Sequence, residues 1–462
     1  MKFLRIPLLF VLPVIAFAVG CSSPSGKEIR PSEDARPAIQ QIIDDPSKSA
    51  GLMYVYDYLE DPVLTPAPRG YKPFYVSNYG RHGARYAMKE QYRMIRKALD
   101  SALKEGNLTE RGRRLQQDYG RFFQHAIYRE GELSAMGISQ QRTIAARLYR
   151  RFPAIFDGPT RLSAISTPVG RVAMSMTSFD NALQELDPDL RVDEFASESN
   201  SPVLRPNFSP LEVKRPRTMD EITAPYEEYF SRTVDMDGIL SRIFTDPSAA
   251  LSCKGTNEVV FIRNLFDISN GLGCLDYPED PFKGLFTLED RLAVTKAAWY
   301  RIMLFLGRVE GSGSLFPDFT AYTLKDMIDK ADEDIASGEV QLRLRFSHDS
   351  SILPLVVYMD LDGRGATAPG PDEAMEVFHP WDMPMGGSLQ LVFFRSRRSP
   401  DILVSVLWNE REARLPISGG PYYKWEDFKA FYCPRIESTL EVIDSLRADT
   451  DYEKTTIKYA YY

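Results

Sequence analysis

The chain has 462 residues, more than a single hydrophobic core usually organises, so we expect one large domain with a cap or two domains. Hydrophobic residues make up 44% of it and charged residues 26%, which is ordinary for a globular protein and excludes a disordered or membrane-spanning chain. The formal net charge of −8 provides no general attraction to nucleic acid, and we expect no nucleic-acid partner. An anionic substrate would need positive charge concentrated at its binding site.

The N-terminal residues have the pattern of an export signal. Lys2 and Arg5 precede an apolar run over 6–19 that is too short to span a membrane as a mature helix. The stretch AVGC over 18–21 resembles a bacterial lipobox, in which Cys21 would be lipidated and become the mature N-terminus. The alternative is a plain signal peptide with a cleavage site nearby and an incidental cysteine.

On the lipoprotein interpretation, residues 1–21 are the signal peptide and lipobox, and residues 22–50 form a tether. Serine, proline and charged residues dominate the start of this tether, from Ser22 to Pro37, which favours a flexible segment. Two serines directly after the cysteine resemble the pattern of outer-membrane sorting. We therefore expect an exported lipoprotein at the outer membrane, facing the periplasm or the cell surface and touching the membrane only through its lipid.

The predicted elements alternate between strands and helices. Short apolar runs that end at glycine or polar residues predict strands, and apolar residues at helical spacing predict helices. In chain order these are a strand over 73–79, helices over 89–103 and 134–152, a strand over 161–167, helices over 169–183 and 288–308, and strands over 341–346, 388–395 and 402–407. This alternation indicates an α/β fold with a mostly parallel central sheet flanked by helices.

The middle of the chain has a different character. Residues 187–280 are polar, prone to form helices and interrupted by prolines. We interpret 187–284 as an inserted, mostly α-helical cap, with the α/β core formed by 51–186 and 285–462.

The cluster Arg81-His82-Gly83-Ala84-Arg85 directly follows the first predicted strand, where α/β sheets place ligands. The planar fork of arginine suits phosphate oxygens, and glycine allows a tight turn close to an anion. Neighbouring guanidiniums disfavour an imidazolium, so they favour the neutral, nucleophilic form of His82.

This pentad resembles the signature of the histidine phosphatase superfamily, in its branch of histidine acid phosphatases and phytases. The resemblance extends over most of residues 70–400, with no matching motif in the central segment. Its further parts, in chain order, are Gly131-Glu-Leu-Ser-Ala-Met-Gly137 with Gln140 and the Arg150-Arg151 pair, then Ser166-Thr167-Pro-Val-Gly-Arg171, then Ser347-His348-Asp349.

The resemblance implies a role for each matching residue. His82 would attack phosphorus and become a phosphohistidine, which water then hydrolyses. The groups that would hold the phosphoryl oxygens and stabilise the transition state are Arg81, Arg85, Arg171 and His348. Asp349 would donate a proton to the leaving alcohol and later activate water. No metal and no other cofactor is required, because the arginines supply the positive charge.

The chain departs from the family pattern at three places. Tyr86 stands where many members carry proline, and the stretch over 168–172 replaces a fuller Asp-x-Asp-Arg-Thr pattern. Multiple inositol polyphosphate phosphatases usually carry His-Ala-Glu where this chain has His-Asp-Ser over 348–350, which weakens any transfer of their substrate. Arg161 lies near Arg171 and is its rival for the phosphate-binding role.

The remaining histidines and cysteines have less specific surroundings. His125 lies in an aromatic stretch and reads as a packed residue, whereas His379 lies in a loop region and is either structural or pocket-lining. Cys253 and Cys274 are able to pair in an oxidising compartment, which would leave Cys433 as a buried thiol. No CxxC or Cys/His cluster indicates a metal site.

We therefore interpret the chain as a metal-independent phosphomonoester hydrolase that acts outside the cytoplasm on a small organic phosphate. Inositol phosphates such as phytate, or sugar phosphates, are the expected substrates; the oligomeric state is left open. One alternative is a phosphoglycerate mutase-like phosphotransferase, which the export signal and the His-Asp pair disfavour. Another is a surface lipoprotein that binds a nutrient without turning it over; such a protein would not need a histidine flanked by arginines.

Overall fold

The computed structural model describes residues 36–56, 61–206, 219–251 and 256–448. It confirms the α/β class, with a central sheet flanked by helices. The strands are β1 (Tyr71–Arg81), β2 (Arg161–Ser166), β3 (Arg191–Ala196), β4 (Leu342–Ser347), β5 (Ser388–Ser396), β6 (Ser399–Trp408), β7 (Arg411–Glu412) and β8 (Tyr423–Lys424). The helices are α1 (Ala38–Asp44), α2 (Lys89–Lys104), α3 (Glu110–Ala126), α4 (Ala135–Arg151), α5 (Gly170–Leu186), α6 (Ser201–Leu204), α7 (Met219–Thr233), α8 (Met236–Ser241), α9 (Pro247–Leu251), α10 (Glu258–Gly271), α11 (Leu288–Leu306), α12 (Phe316–Phe319), α13 (Ala321–Ser337), α14 (Asp349–Met359), α15 (Pro371–Val377) and α16 (Trp425–Ala448).

The sheet has the strand order β3-β2-β4-β1-β5-β6-β7, with β8 also paired to β6. The half from β3 to β1 is parallel, as expected, but β5 is antiparallel to β1 and β6 is antiparallel to β5. The expected mostly parallel sheet is thus parallel only in that half. The reason is local: a turn at 397–398 joins β5 to β6, and so short a connection can only produce an antiparallel hairpin.

Alternation along the strands divides the core between the two faces of the sheet. Tyr75 and Leu391 belong to the larger apolar cluster, which includes α14 and the cap helices. Their neighbours Val76 and Val392 point to the opposite face, where α4 and α5 cover them. Burial on both faces fixes the register of β1 and therefore the position of the residues that follow it.

Helix α14 begins directly after β4 and is the most deeply buried helix near the site. Every residue from Ser351 to Met359 is buried, in agreement with its nearly continuous apolar sequence. Because the helix cannot rotate without exposing apolar surface, the strand-to-helix turn that carries His348 and Asp349 is held in place.

The structure differs from two of the domain boundaries expected from the sequence. Part of the predicted tether is folded: α1 packs against the core with Ala38 and Ile42 fully buried, and the backbone N–H of Ala38 donates to Glu376 Oε1 at 3.0 Å. The predicted cap, in turn, begins too early, because β3 pairs in parallel with β2 as an edge strand of the sheet. The helices that follow β3 form the cap.

The cap packs against α2, α3 and α11 rather than standing apart from the core. The backbone N–H of Thr109, at the start of α3, donates to the Ile243 carbonyl at 3.0 Å, and Asn107 Nδ2 donates to the Asp246 carbonyl at 2.7 Å. These buried contacts tie the cap to the helices that follow the predicted catalytic loop. None of the helices in the described ranges combines the length and apolar character needed to cross a bilayer.

Candidate active site

The catalytic candidates come from two neighbouring parallel strands that end at the same edge of the sheet. Arg81 at the end of β1 lies opposite Ser347 at the end of β4, and the backbone N–H of His82 donates to the Ser347 carbonyl at 3.1 Å. His348 and Asp349 directly follow Ser347. The parallel register therefore brings together two pieces of sequence that are more than 260 residues apart.

His82 is buried and held in one orientation. Its Nδ1 lies 2.9 Å from the Gly83 carbonyl, so Nδ1 carries the proton and donates, which leaves the lone pair on Nε2. Burial, followed by the charges of Arg171 and Arg81, holds the pKa of His82 well below its usual value. The imidazole is consequently neutral at neutral pH and presents a nucleophilic nitrogen.

Arg81 connects the two halves of the site. Its side chain is fully buried, with Nη2 donating to Asp349 Oδ2 at 2.7 Å and Nη1 donating to the Met383 carbonyl at 2.8 Å. The second carboxylate oxygen, Oδ1 of Asp349, accepts from the Ser350 backbone N–H at 2.8 Å. Asp349 is thus oriented by one of the guanidiniums that the sequence predicts to bind phosphate.

Opposing effects act on the Asp349 carboxyl. Burial raises its pKa, but the charges of Arg81 and Arg85 outweigh burial, and the pKa lies below its ordinary value. A general acid must be protonated, so this direction alone does not suit the expected role. A phosphoryl dianion bound by the same arginines would oppose their effect and raise the pKa of Asp349.

The guanidinium groups of three arginines lie close together at the site. Each of them has an N–H donor for which the described residues provide no acceptor. The Nε atoms of Arg81, Arg85 and Arg171 are all buried without a hydrogen-bond partner among the described residues. Burial, followed by the charge of Arg85, lowers the pKa of Arg171 to about 9, as expected for crowded like charges. Buried, unsatisfied cationic donors are costly, and an oxyanion would satisfy them.

His348 lies next to His82 in the same group of side chains. The two imidazole rings have centroids 5.6 Å apart and meet edge to face, and His348 Nε2 lies 3.3 Å from Thr167 Oγ1. Burial and the charges of Arg171 and Arg205 hold the pKa of His348 well below its usual value. His348 is therefore a neutral hydrogen-bonding group inside a ring of positive charge.

Residues 131–141, part of which resembles the family pattern, pack against the loop over 81–85 and hold its backbone in place. A Cβ at Gly83 would lie 2.4 Å from the Gly137 carbonyl oxygen, so the start of α4 and the loop approach as closely as two glycines allow. Around this contact, Ser134 Oγ donates to the Ala84 carbonyl at 3.0 Å, Gln140 Oε1 accepts from the Ala84 N–H at 2.8 Å, and Gln141 Nε2 donates to the Arg81 carbonyl at 3.0 Å.

Two site residues were missed by the sequence analysis. Ser175 Oγ accepts from the Gly83 N–H at 3.1 Å and donates to the Arg171 carbonyl at 2.8 Å, so it links two parts of the site. It lies one helical turn after Arg171, which is the only signal that could have found it.

Arg205 is the second missed residue. The preceding carbonyl, that of Leu204, accepts from Tyr79 Oη at 2.6 Å and from Ser347 Oγ at 2.7 Å. These two buried hydroxyls lie on β1 and β4, so their hydrogen bonds hold the segment after β3 against the ends of the two strands. Arg205 is thereby placed near Arg171 and His348. No motif marks Arg205 in the sequence.

The structure separates other candidates from this cluster. Arg161 is exposed and its Nε donates to Asp193 Oδ2 at 2.7 Å, so Arg171 rather than Arg161 lies at the site. His125 Nε2 lies 3.2 Å from Tyr86 Oη, in an aromatic group next to the loop. His379 stacks on Trp381 with ring centroids 4.6 Å apart. It is packed there and is not part of the cluster.

The cysteines do not contribute reactive groups to the described site. Cys274 is buried beneath the catalytic loop with Sγ 3.3 Å from the Met53 carbonyl, and burial raises its pKa to about 11. Cys253, its expected partner, and Cys21 lie outside the described residues. Cys433 is partly buried as a free thiol. In the described ranges, no three His, Cys, Asp or Glu side chains group as metal ligands would.

Solved structures with the same fold include a multiple inositol polyphosphate phosphatase and phytases. The multiple inositol polyphosphate phosphatase of Bifidobacterium longum, solved with inositol hexasulfate, superposes with a TM-score of 0.63 at 16% identity, over 83% of this chain and 97% of that one. The phytase from D. castellii gives a TM-score of 0.63 at 17% identity, over 89% and 92% of the two chains. The phytase of Klebsiella sp ASR1 gives 0.51 at 14% identity, over 84% and 98%.

Sequence comparison agrees with the site geometry. No curated protein matches the chain significantly. The family model of the histidine phosphatase superfamily, branch 2, matches residues 80–208, a range that contains His82 and all four arginines described above. Over that range the chain is similar to the histidine phosphatase superfamily, branch 2.

Proposed function

We propose that this protein hydrolyses phosphate monoesters through a covalent phosphohistidine at His82, without a metal ion. Inositol phosphates and sugar phosphates are its proposed substrates. One observation carries the proposal: a neutral imidazole with its Nδ1 proton engaged lies inside a ring of guanidiniums that have buried, unpartnered Nε donors. A site that only binds phosphate needs the guanidiniums but has no use for an oriented nucleophile between them.

In the first step, Nε2 of His82 attacks phosphorus while the bond to the leaving oxygen breaks. Asp349 in its acid form gives its proton to that oxygen, and the substrate leaves as an alcohol. The guanidiniums of Arg81, Arg85 and Arg171 bind the equatorial oxygens, so the charge that develops there is stabilised without reorganisation. His82 now carries the phosphoryl group on Nε2.

In the second step, Asp349 as carboxylate takes a proton from water, and the resulting oxygen nucleophile attacks the phosphohistidine. The bond between phosphorus and Nε2 breaks, inorganic phosphate leaves, and His82 returns to its neutral form. The hydrogen bond between Arg81 Nη2 and Asp349 Oδ2 keeps the carboxyl oriented in both steps.

The proposal is tested with the purified chain, an aryl phosphate, and a panel of phytate and sugar phosphates, each in the presence of a chelator. Wild-type protein should release phosphate, and His82→Ala should lower kcat by roughly 10⁴-fold or more. His379→Gln is a matched control because this buried histidine stacks on Trp381, away from the cluster. Full activity in His82→Ala would overturn the mechanism, and binding of phosphate without turnover by wild type would favour a nutrient-binding protein.

We further propose that the enzyme acts outside the cytoplasm as a lipoprotein anchored through Cys21. The described residues begin at Arg36, just before α1, so in this proposal the residues between Cys21 and Arg36 serve as a tether that leaves the domain in the aqueous phase. Labelling with radioactive palmitate in a bacterial host should mark the wild-type chain and fail to mark Cys21→Ser. Equal labelling of both chains, or labelling of neither, would refute the anchor.

A further inference from the structure

Thr167 follows the last residue of β2 and has no part in the mechanism above. The parallel pairing of β2 with β4 places Ser166 opposite Phe346, so the residues just past the two strands, Thr167 and His348 among them, lie at the same edge of the sheet. The Thr167 side chain is fully buried, and its Oγ1 lies 3.3 Å from His348 Nε2. Within the described residues this contact is the one hydrogen bond of the Thr167 hydroxyl.

The buried hydroxyl of Thr167 determines which nitrogen of His348 carries the proton. A threonine hydroxyl has one proton to donate, and a buried donor without an acceptor is costly. The acceptor that the described residues offer is Nε2 of His348, whose imidazole is neutral. A neutral imidazole has a single N–H, so an Nε2 that accepts from Thr167 requires an Nδ1 that carries the proton.

The other ring nitrogen of His348, Nδ1, is free to meet a ligand. It makes no hydrogen bond to the described residues and is not one of their fully enclosed polar atoms, in agreement with the 7% exposure of His348. The ring lies beside that of His82 and among the charges of Arg171 and Arg205. In such a place an N–H attracts a phosphoryl oxygen, whereas a nitrogen lone pair would repel it.

We propose that Thr167 is a positioning residue that selects the Nδ1-protonated form of His348, so that Nδ1–H donates to the phosphoryl group. The inference rests on the proposed function and deepens it by assigning the proton of His348. The two imidazoles of the site then share one tautomer but use different nitrogens. His82 attacks through the free Nε2, and His348 binds through the protonated Nδ1.

Replacement of the Thr167 side chain should leave the end of β2 in place, because other groups hold the backbone there. The Ser166 carbonyl accepts from Asn200 Nδ2 at 3.0 Å and from the Ser197 N–H at 3.3 Å. Ser166 Oγ donates to the Thr167 carbonyl at 3.0 Å. Valine is β-branched like threonine and has no hydroxyl, so Thr167→Val removes the hydrogen bond to the imidazole. Thr167→Ser keeps the hydroxyl and is the matched control.

The kinetic test combines hydrolysis of p-nitrophenyl phosphate with binding of inorganic phosphate by calorimetry. Thr167→Val should lower kcat/KM and phosphate affinity by about 10-fold each, because it costs the phosphoryl group one charge-assisted hydrogen bond, and Thr167→Ser should restore both. The amide nitrogen of asparagine replaces Nδ1–H and that of glutamine replaces Nε2–H, so His348→Asn should retain more activity than His348→Gln. Wild-type constants in Thr167→Val, or the opposite order of the two amides, would overturn the inference.

Nitrogen NMR of protein labelled with ¹⁵N at histidine gives a readout that a merely structural role would not move. In the wild type Nδ1 of His348 should be protonated and Nε2 unprotonated, with the signals assigned by their loss in His348→Asn; in Thr167→Val the proton should shift toward Nε2. A protonated Nε2 in the wild type would overturn the inference. This measurement needs no turnover: if the wild type releases no phosphate, the proposed function fails, and if it releases phosphate with the proton on Nε2, the inference alone fails.

Discussion

Replacement of Gly137 by alanine tests whether the close contact between α4 and the catalytic loop sets the catalytic geometry. A Cβ at this position would lie 2.2 Å from the Ala84 carbonyl oxygen and 2.8 Å from the Ala84 nitrogen, both backbone atoms. Relief to an ordinary contact requires a shift of roughly 1 Å, and a displacement of that size costs about 10²-fold in rate when it reaches reacting groups. Overpacking should also destabilise the fold by about 1–3 kcal/mol.

The assay is steady-state hydrolysis of an aryl phosphate together with thermal unfolding of the same samples. Gly170→Ala is the matched control: Gly170 is also in the first turn of a helix, but an added Cβ meets nothing within 4 Å. Alanine is a better helix former than glycine, so this control should keep its activity and its melting temperature. If Gly137→Ala retained wild-type kcat and melting temperature, the reasoning from the loop contact would be refuted.

Further predictions concern Asp349, Ser175 and Arg205. Asp349→Asn should lower kcat by about 10²- to 10⁴-fold for alkyl phosphates and far less for p-nitrophenyl phosphate, whose leaving group needs no proton. Because His82 has a lowered pKa and Asp349 must be protonated in the complex, kcat should persist into acid and fall as pH rises; a steady rise above about pH 9 would contradict this. Ser175→Ala leaves the buried Gly83 N–H unpaired and should lower the unfolding free energy by about 1–3 kcal/mol in denaturant titrations. Arg205→Ala should lower kcat/KM by about 10-fold in the same kinetic assay, and no change would place Arg205 outside the binding site.

The sequence predicted those elements whose periodicity is set by burial. The helix over 89–103 is α2 within one residue, and the strand over 161–167 is β2, because each has an apolar pattern that matches its period. The pentad located the loop in which buried arginines and histidines converge, since the chemistry expected of a phosphate site needs those residue types at that spacing. Such patterns depend only on neighbours along the chain.

Features that depend on distant parts of the chain could not be predicted. Nothing local distinguishes Arg171 from Arg161; the structure does so by pairing Arg161 with the carboxylate of Asp193 on the edge strand. That strand itself looks polar because it has a neighbour on only one side, and it was therefore assigned to the cap. Arg205 becomes a site residue only because hydroxyls on two strands fasten the preceding carbonyl.

The most direct test of the account is rapid quenching of the enzyme with a phosphate-labelled substrate, followed by identification of the labelled residue. We expect label on His82 at Nε2, with the acid lability and base stability of a phosphoramidate, formed before free phosphate appears and lost as the intermediate is hydrolysed by water. Turnover with no labelled protein at any quench time, or label on a residue other than His82, would contradict it.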